Sequence, residues 1–152
     1  MRMTLAKRAS LGIVAAGSLL LAPAAAAYAS APAKAAVAVS CSGMVNPSGA
    51  TGTGTAKSAD LPGGVDLQLR SGRINNVQYA WPRLTTSHNG DRLWIDISGN
   101  SGRTWTQCDL RTLDTGRNYG NALKTSSSSS VCMRAGARPA GAAASYLTDW
   151  WC

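Results

Sequence analysis

Phenylalanine and glutamate are both absent from this chain, and histidine occurs once. Its seven acidic residues are therefore all aspartates: Asp60, Asp66, Asp91, Asp96, Asp109, Asp114 and Asp149. With one histidine, any Ser-His-Asp or Cys-His mechanism has to pass through His88. No G-x-S-x-G elbow supplies a nucleophile for it. His88 stands in His88-Asn89-Gly90-Asp91, which reads as a solvent-exposed turn between strands. Glycosidic chemistry needs two carboxyl groups flanking a sugar bond. Asp96 is the strongest candidate because it lies on the polar side of a strong strand, but pairing with an arginine on the next strand is the commoner role there. The expectation is a non-enzyme without a cofactor.

Charge is sparse as well, at 14% of residues, and no long amphipathic helix pattern is present. The 152 residues support one domain and exclude a large multidomain enzyme. Arg2, Lys7 and Arg8 precede an apolar stretch at 9–22 centred on Leu19, Leu20 and Leu21, and Ala27-Tyr28-Ala29 follows. This is the three-part pattern of a secretory signal. The apolar stretch is shorter than the about 20 residues of a comfortable membrane span. Residues 1–29 are thus expected to be removed, with Ala31 or Ala35 as alternative starts to Ser30, leaving a secreted, extracellular protein without a membrane anchor. Loss of three basic residues leaves twelve against seven acidic ones, a net charge of +5. The arginines are spread at one or two per segment, so no dense phosphate-tracking patch is present and no nucleic-acid partner is expected.

Cys41, Cys108, Cys132 and Cys152 all follow the signal. Export makes disulfides the default, with three connectivities open to four cysteines. The preferred pairing is Cys41 with Cys108 and Cys132 with Cys152, the second tying Cys152 back to a preceding strand. There is no CxxC pair, and no histidine lies near these cysteines to suggest a metal site.

Several stretches read as strands. Residues 35–39, Ala35-Ala36-Val37-Ala38-Val39, form a small apolar run within an extended N-terminal segment at 30–40. Residues 50–55 read as a loop or weak edge strand. Val65, Leu67 and Leu69 alternate with polar residues, and a second strand is expected at 73–81, ended by Pro82. The clearest signal is Leu93, Ile95 and Ile97 alternating with Trp94, Asp96 and Ser98, joined through Gly99-Asn100-Ser101-Gly102 to a strand at 103–108. Residues 117–125 and 131–135 are further candidates, and 140–146 carries a weak competing helix signal. The fold expected is all-β: a small antiparallel β-sandwich at 41–152 with two disulfides and an extended N-terminal strand.

Trp94 points away from Leu93, Ile95 and Ile97, so it lies either on a second buried face or on a partner-binding surface. Trp81, Trp94, Trp105, Trp150 and Trp151 could offer a stacking platform for sugars, while Trp105 could instead cover the disulfide at Cys108. The Ala/Val run at 35–39 either pairs with the domain's own sheet or adds to the groove of another protein.

The signal, the Ala/Val run into Cys41-Ser42-Gly43, the block Leu93-Trp94-Ile95-Asp96 before Gly102-Arg103-Thr104-Trp105-Thr106-Gln107-Cys108, then Cys132-Met133-Arg134-Ala135 and Trp150-Trp151-Cys152 form a combination. It resembles small secreted proteins of Streptomyces and related actinobacteria, and within them the adaptor subunits of umbrella toxin particles. The resemblance covers roughly residues 35–152 and rests on size, cysteine placement and Trp/Gly spacing. It implies a non-enzymatic β-rich adaptor joining a secreted lectin subunit to the helical-repeat region of a large polymorphic toxin, in an antibacterial complex. Ala35, Ala36, Val37, Ala38 and Val39 would be the inserting residues, and the four cysteines would be structural. Exposure reasoning adds Trp94 as a partner-binding residue. Two other readings stand beside it. One is a secreted carbohydrate or cell-wall binding module, and the other a hydrolase inhibitor presenting residues 112–118.

Overall fold

The computed structural model describes residues 35–152, so the expected signal at 1–29 and residues 30–34 lie outside the described residues. Eight strands follow one 3-10 turn at Pro47–Gly49: β1 (Thr51–Leu61), β2 (Val65–Ile74), β3 (Val77–Leu84), β4 (Arg92–Ser98), β5 (Thr106–Thr112), β6 (Leu123–Lys124), β7 (Cys132–Arg138) and β8 (Tyr146–Leu147). They form two four-stranded sheets, in the orders β1-β2-β3-β6 and β5-β4-β7-β8. All pairings are antiparallel. The all-β sandwich expected from the alternating apolar positions is the fold observed. Among the described residues no helix is long and apolar enough to cross a membrane.

Alternation decides which side of each strand meets the other sheet. Leu67, Leu69, Ala80 and Leu84 from the first sheet pack on Leu93, Ile95, Ile97, Met133, Ala135 and Ala137 from the second. A fully buried Leu or Ile of this kind contributes on the order of 2 kcal/mol. The intervening residues, among them Arg70, Trp81, Trp94, Asp96 and Arg134, therefore share the two outer faces.

Several boundaries differ from the sequence expectation. The stretch expected as one strand at 73–81 is broken at Asn75-Asn76, both in the left-handed region at φ 51° and 62°. Asparagine is the commonest side chain, after glycine, to accept that conformation, and two such residues make the tight turn that joins β2 to β3. Pro82 does not end its strand but sits inside β3, opposite Leu69. Its carbonyl accepts from the Gly120 N–H at 2.9 Å. A strand residue points its nitrogen and its carbonyl the same way, so the missing N–H falls on that sparsely paired side rather than on the β2 ladder. Of residues 50–55, Ala50 caps the 3-10 turn and the rest join a long edge strand, β1, whose ladder to β2 is interrupted by two bulges.

The β4–β5 hairpin is present, but Arg103, Thr104 and Trp105 belong to its connection. Ser98 Oγ accepts from the N–H groups of Asn100 (3.2 Å) and Gly102 (2.8 Å). Asn100 Oδ1 in turn accepts from the Thr104 N–H at 2.8 Å. These side-chain bonds hold the chain in a looped form until Thr106. Residues 117–125 give only β6 and isolated bridges, Arg83 with Tyr119 and Val45 with Ala122. The stretch at 140–146 is a turn leading into β8 and not a helix.

Both disulfides join as expected, Cys41 to Cys108 and Cys132 to Cys152. They close loops of 67 and 20 residues. In the chain-entropy account these contribute about 4 and about 3 kcal/mol.

Candidate functional site

Residues 35–39 are not a strand. Their one backbone–backbone hydrogen bond among the described residues runs from the Val37 N–H to the Gly99 carbonyl, at 2.8 Å. A ladder did not form because Gly99 starts the hairpin connection, where the β4 backbone has already left the sheet. Contact is close at that one point: a Cβ on Gly99 would lie 1.7 Å from the Val37 carbonyl oxygen. Ala35, Ala36, Val37 and Ala38 are exposed, and Val37 keeps 41% of its surface open. Only Val39 turns partly inward against the core, just before Cys41 locks the chain to β5. The segment is thus a covalently rooted, apolar tether with most of its backbone groups unpaired within the domain.

The outer face of the second sheet carries a different cluster. Cross-strand register sets Asp96 of β4 between Gln107 of β5 and Arg134 of β7. The Arg134 Nε–H donates to Asp96 Oδ2 at 2.8 Å. The Arg134 guanidinium also lies 4.5 Å from the centre of the Trp105 ring and 4.4 Å from that of Trp150. These indoles stand 6.2 Å apart at 58° and form a V around it. Cation–π attraction and a charge-assisted hydrogen bond therefore act on one side chain. Asp96 retains 1% of its surface. Burial raises its carboxyl pKa above the usual aspartate value. The Arg134 hydrogen bond and charge oppose that rise, with a smaller contribution from the Trp94 indole. Oδ1 is buried without a hydrogen bond of normal geometry.

Trp94 is 6% exposed and lies on Gly136, where a Cβ would come 2.1 Å from its Cε2. The sequence left two positions open for it, and the structure shows the buried face. The exposure that made Trp94 a partner-binding candidate is therefore absent. Trp81 is equally buried, against Gly72. Trp105 does not cover the Cys108 disulfide: it is 53% exposed and belongs to the V around Arg134. Trp81 and Trp94 are thus laid on glycines and Trp105 and Trp150 are closed on an arginine, while Trp151 packs against the core and bridges to Met133. The pairing of Asp96 with an arginine on the next strand is the one expected from sequence, and the register identifies that arginine as Arg134. Its signal was available as an arginine on the polar side of β7.

His88 is exposed, with Nδ1 3.7 Å from Asp91 Oδ2. The Asp91 carboxylate is used structurally, since Oδ2 accepts from the His88 N–H and Oδ1 from the Ala140 N–H. Within residues 112–118, Leu113 is buried and its N–H donates to the Asp91 carbonyl at 2.7 Å. Asp114, Thr115 and Gly116 are exposed. Asp109 stands at a bulge in β5 with φ 51°. Its carboxylate compensates for that strain by accepting from Arg111, from the Asn121 N–H at 2.6 Å and from Asn121 Nδ2 at 3.3 Å. Among the described residues no group of three or more His, Cys, Asp or Glu side chains could hold a metal ion. Compared with protein-family models, curated proteins and solved structures, the chain matches none.

Proposed function

We propose that this protein is a secreted, non-enzymatic adaptor that engages a helical-repeat partner through residues 35–39 and carries a lectin subunit on its sandwich. The observation that supports this reading most is the N-terminal tether. A stretch of Ala and Val with one backbone bond to its own domain has backbone donors and acceptors left for another chain. Its small side chains suit a narrow groove. The Cys41–Cys108 disulfide gives it a fixed root, so a partner gripping the tether holds the whole sandwich. The resemblance to adaptor subunits of umbrella toxin particles names the class of partners.

The test is native purification of the tagged protein from its producer's culture medium, beside a variant lacking residues 35–39, with mass spectrometry of what accompanies each. Recovery of a large helical-repeat protein and a lectin with the intact chain is the expected result. Deletion should lose the repeat protein. If both forms emerge as the tagged chain alone, the adaptor reading fails.

A further inference from the structure

The outer face of the first sheet carries an arrangement that the adaptor reading does not use. Leu69 and Leu84 point into the core, which turns Arg70 of β2 and Arg83 of β3 outward onto one face. Register places them diagonally, Arg70 opposite Trp81 and Arg83 opposite Gln68. Together with Thr53, Trp81, Asn118 and Tyr119 they line a pocket of about 290 Å³, closed on one side by the 3-10 turn. That volume lies near the lower end for small-ligand sites and suits one sugar-sized ring.

No carboxylate lines this pocket. Arg70 donates to two hydroxyls, Thr55 Oγ1 at 2.7 Å and Thr53 Oγ1 at 3.3 Å. Among the described residues the Arg83 side chain has neither a hydrogen bond nor an ion pair. A third cation, Arg117, sits 4.7 Å over the Tyr119 ring at the pocket wall. Burial and the Arg83 charge both hold the Arg70 pKa below the usual arginine value. The two arginines thus repel across a concave, partly desolvated space. Elsewhere in the sandwich, Arg111 and Arg134 each have an aspartate.

We propose that this pocket binds an oxyanion carried on a sugar-sized ring, a carboxylate or a phosphate, held by Arg70 and Arg83 with the ring against Tyr119 and the 3-10 turn. Arginine presents a fork of N–H donors that matches such groups, and an anion held between two forks offsets their mutual repulsion. The site shares no residue with 35–39, so it stands or falls separately from the adaptor reading.

The experiment is an NMR titration of the intact protein, following the arginine side-chain Nε–H signals. The probes are glucuronate, glucose 6-phosphate, inorganic phosphate and neutral glucose. Arg70 and Arg83 signals should move with glucuronate or glucose 6-phosphate and stay still with glucose. Affinity, measured by calorimetry because the variant lacks the reporting arginines, should fall about tenfold or more in R70Q/R83Q, as expected for lost charged hydrogen bonds. Movement with one acidic sugar and not the other identifies the carboxylate or the phosphate as the group recognised. Silence with both acidic sugars, or unchanged binding by R70Q/R83Q, overturns the proposal. Inorganic phosphate binding as tightly as the sugar phosphate overturns the part assigned to the ring. A ligand-free melt gives a second reading: R83Q should raise Tm at low salt by removing repulsion, and a lowered Tm would show that Arg83 has a structural partner after all.

Discussion

Asp96 and Arg134 set burial of a carboxylate against the charge of its partner. Because burial raises the Asp96 pKa, the folded chain keeps that proton to a higher pH than the unfolded chain does. Its contribution to stability is complete below 3.8, the ordinary aspartate value, and is lost as pH rises through the raised folded value. Replacing Arg134 removes the cation that restrains this rise. Arg134→Met should cost about 3 kcal/mol near pH 7, as expected for a buried charge left unpaired. Protonation of Asp96 should return much of that loss near pH 4, approximately its unfolded pKa. Urea melts of both forms across that range measure the difference, and a pH-independent cost would mean that packing on Trp105 and Trp150, not charge, is what Arg134 supplies. Gly136→Ala probes the neighbouring indole. Its new methyl would push Trp94 off the sheet, and a loss of about 2 kcal/mol is expected from overpacking, read from the same melts.

At the scale of elements, what could be read from sequence followed from periodicity. Leu67 and Leu69, and again Leu93, Ile95 and Ile97, alternate so regularly that β2 and β4 are legible without coordinates, and with them the two-sheet architecture and its core. Turns that depend on side-chain conformation were harder. Asn75-Asn76 looks like polar strand residues until both are seen at positive φ, and Ser98 and Asn100 lengthen the β4–β5 connection through bonds that no periodicity announces. Residues 35–39 have strand composition, but pairing needs a free edge in register, and their neighbour at the point of contact is a departing turn. Gly99→Ala should therefore dislodge the tether, since its Cβ would overlap the Val37 carbonyl, while the core stays intact. Limited proteolysis should cut near residues 35–39 faster in this variant, at an unchanged melting temperature. Protection equal to the unsubstituted chain would mean that another contact holds the tether.

For the molecule as a whole, the outer faces were the least legible part. Their residues come from strands distant in sequence, so Arg70 with Arg83, or Asp96 with Arg134 and two indoles, exist as groups only after the register is set. The core, by contrast, is modest in size and short of aromatics, which shifts weight onto the crosslinks. Together they supply about 7 kcal/mol by chain entropy, comparable with the entire 5–15 kcal/mol stability usual for a domain. Reduction should accordingly abolish the cooperative tryptophan fluorescence transition at physiological temperature. Retention of a sharp transition in reductant would show that the two sheets suffice on their own.

The placement of those crosslinks also fixes how the molecule bears a load. Cys41 is bonded into β5 and Cys152 into the first residue of β7, and β5, β4 and β7 are adjacent in one sheet. A pull applied between the tether and Cys152 therefore enters through β5 and leaves through β7, and the covalent path between them runs along residues 108–132, which include β6. Strands β1, β2, β3 and β4 fall inside the closed 41–108 loop and lie off the covalent path, with β4 alone laddered to both β5 and β7. Tension that would strip an uncrosslinked sandwich from its terminus must here separate β5 from β7, which are joined through the ladders of β4, while β1, β2 and β3 are slack that a covalent bond withholds from extension.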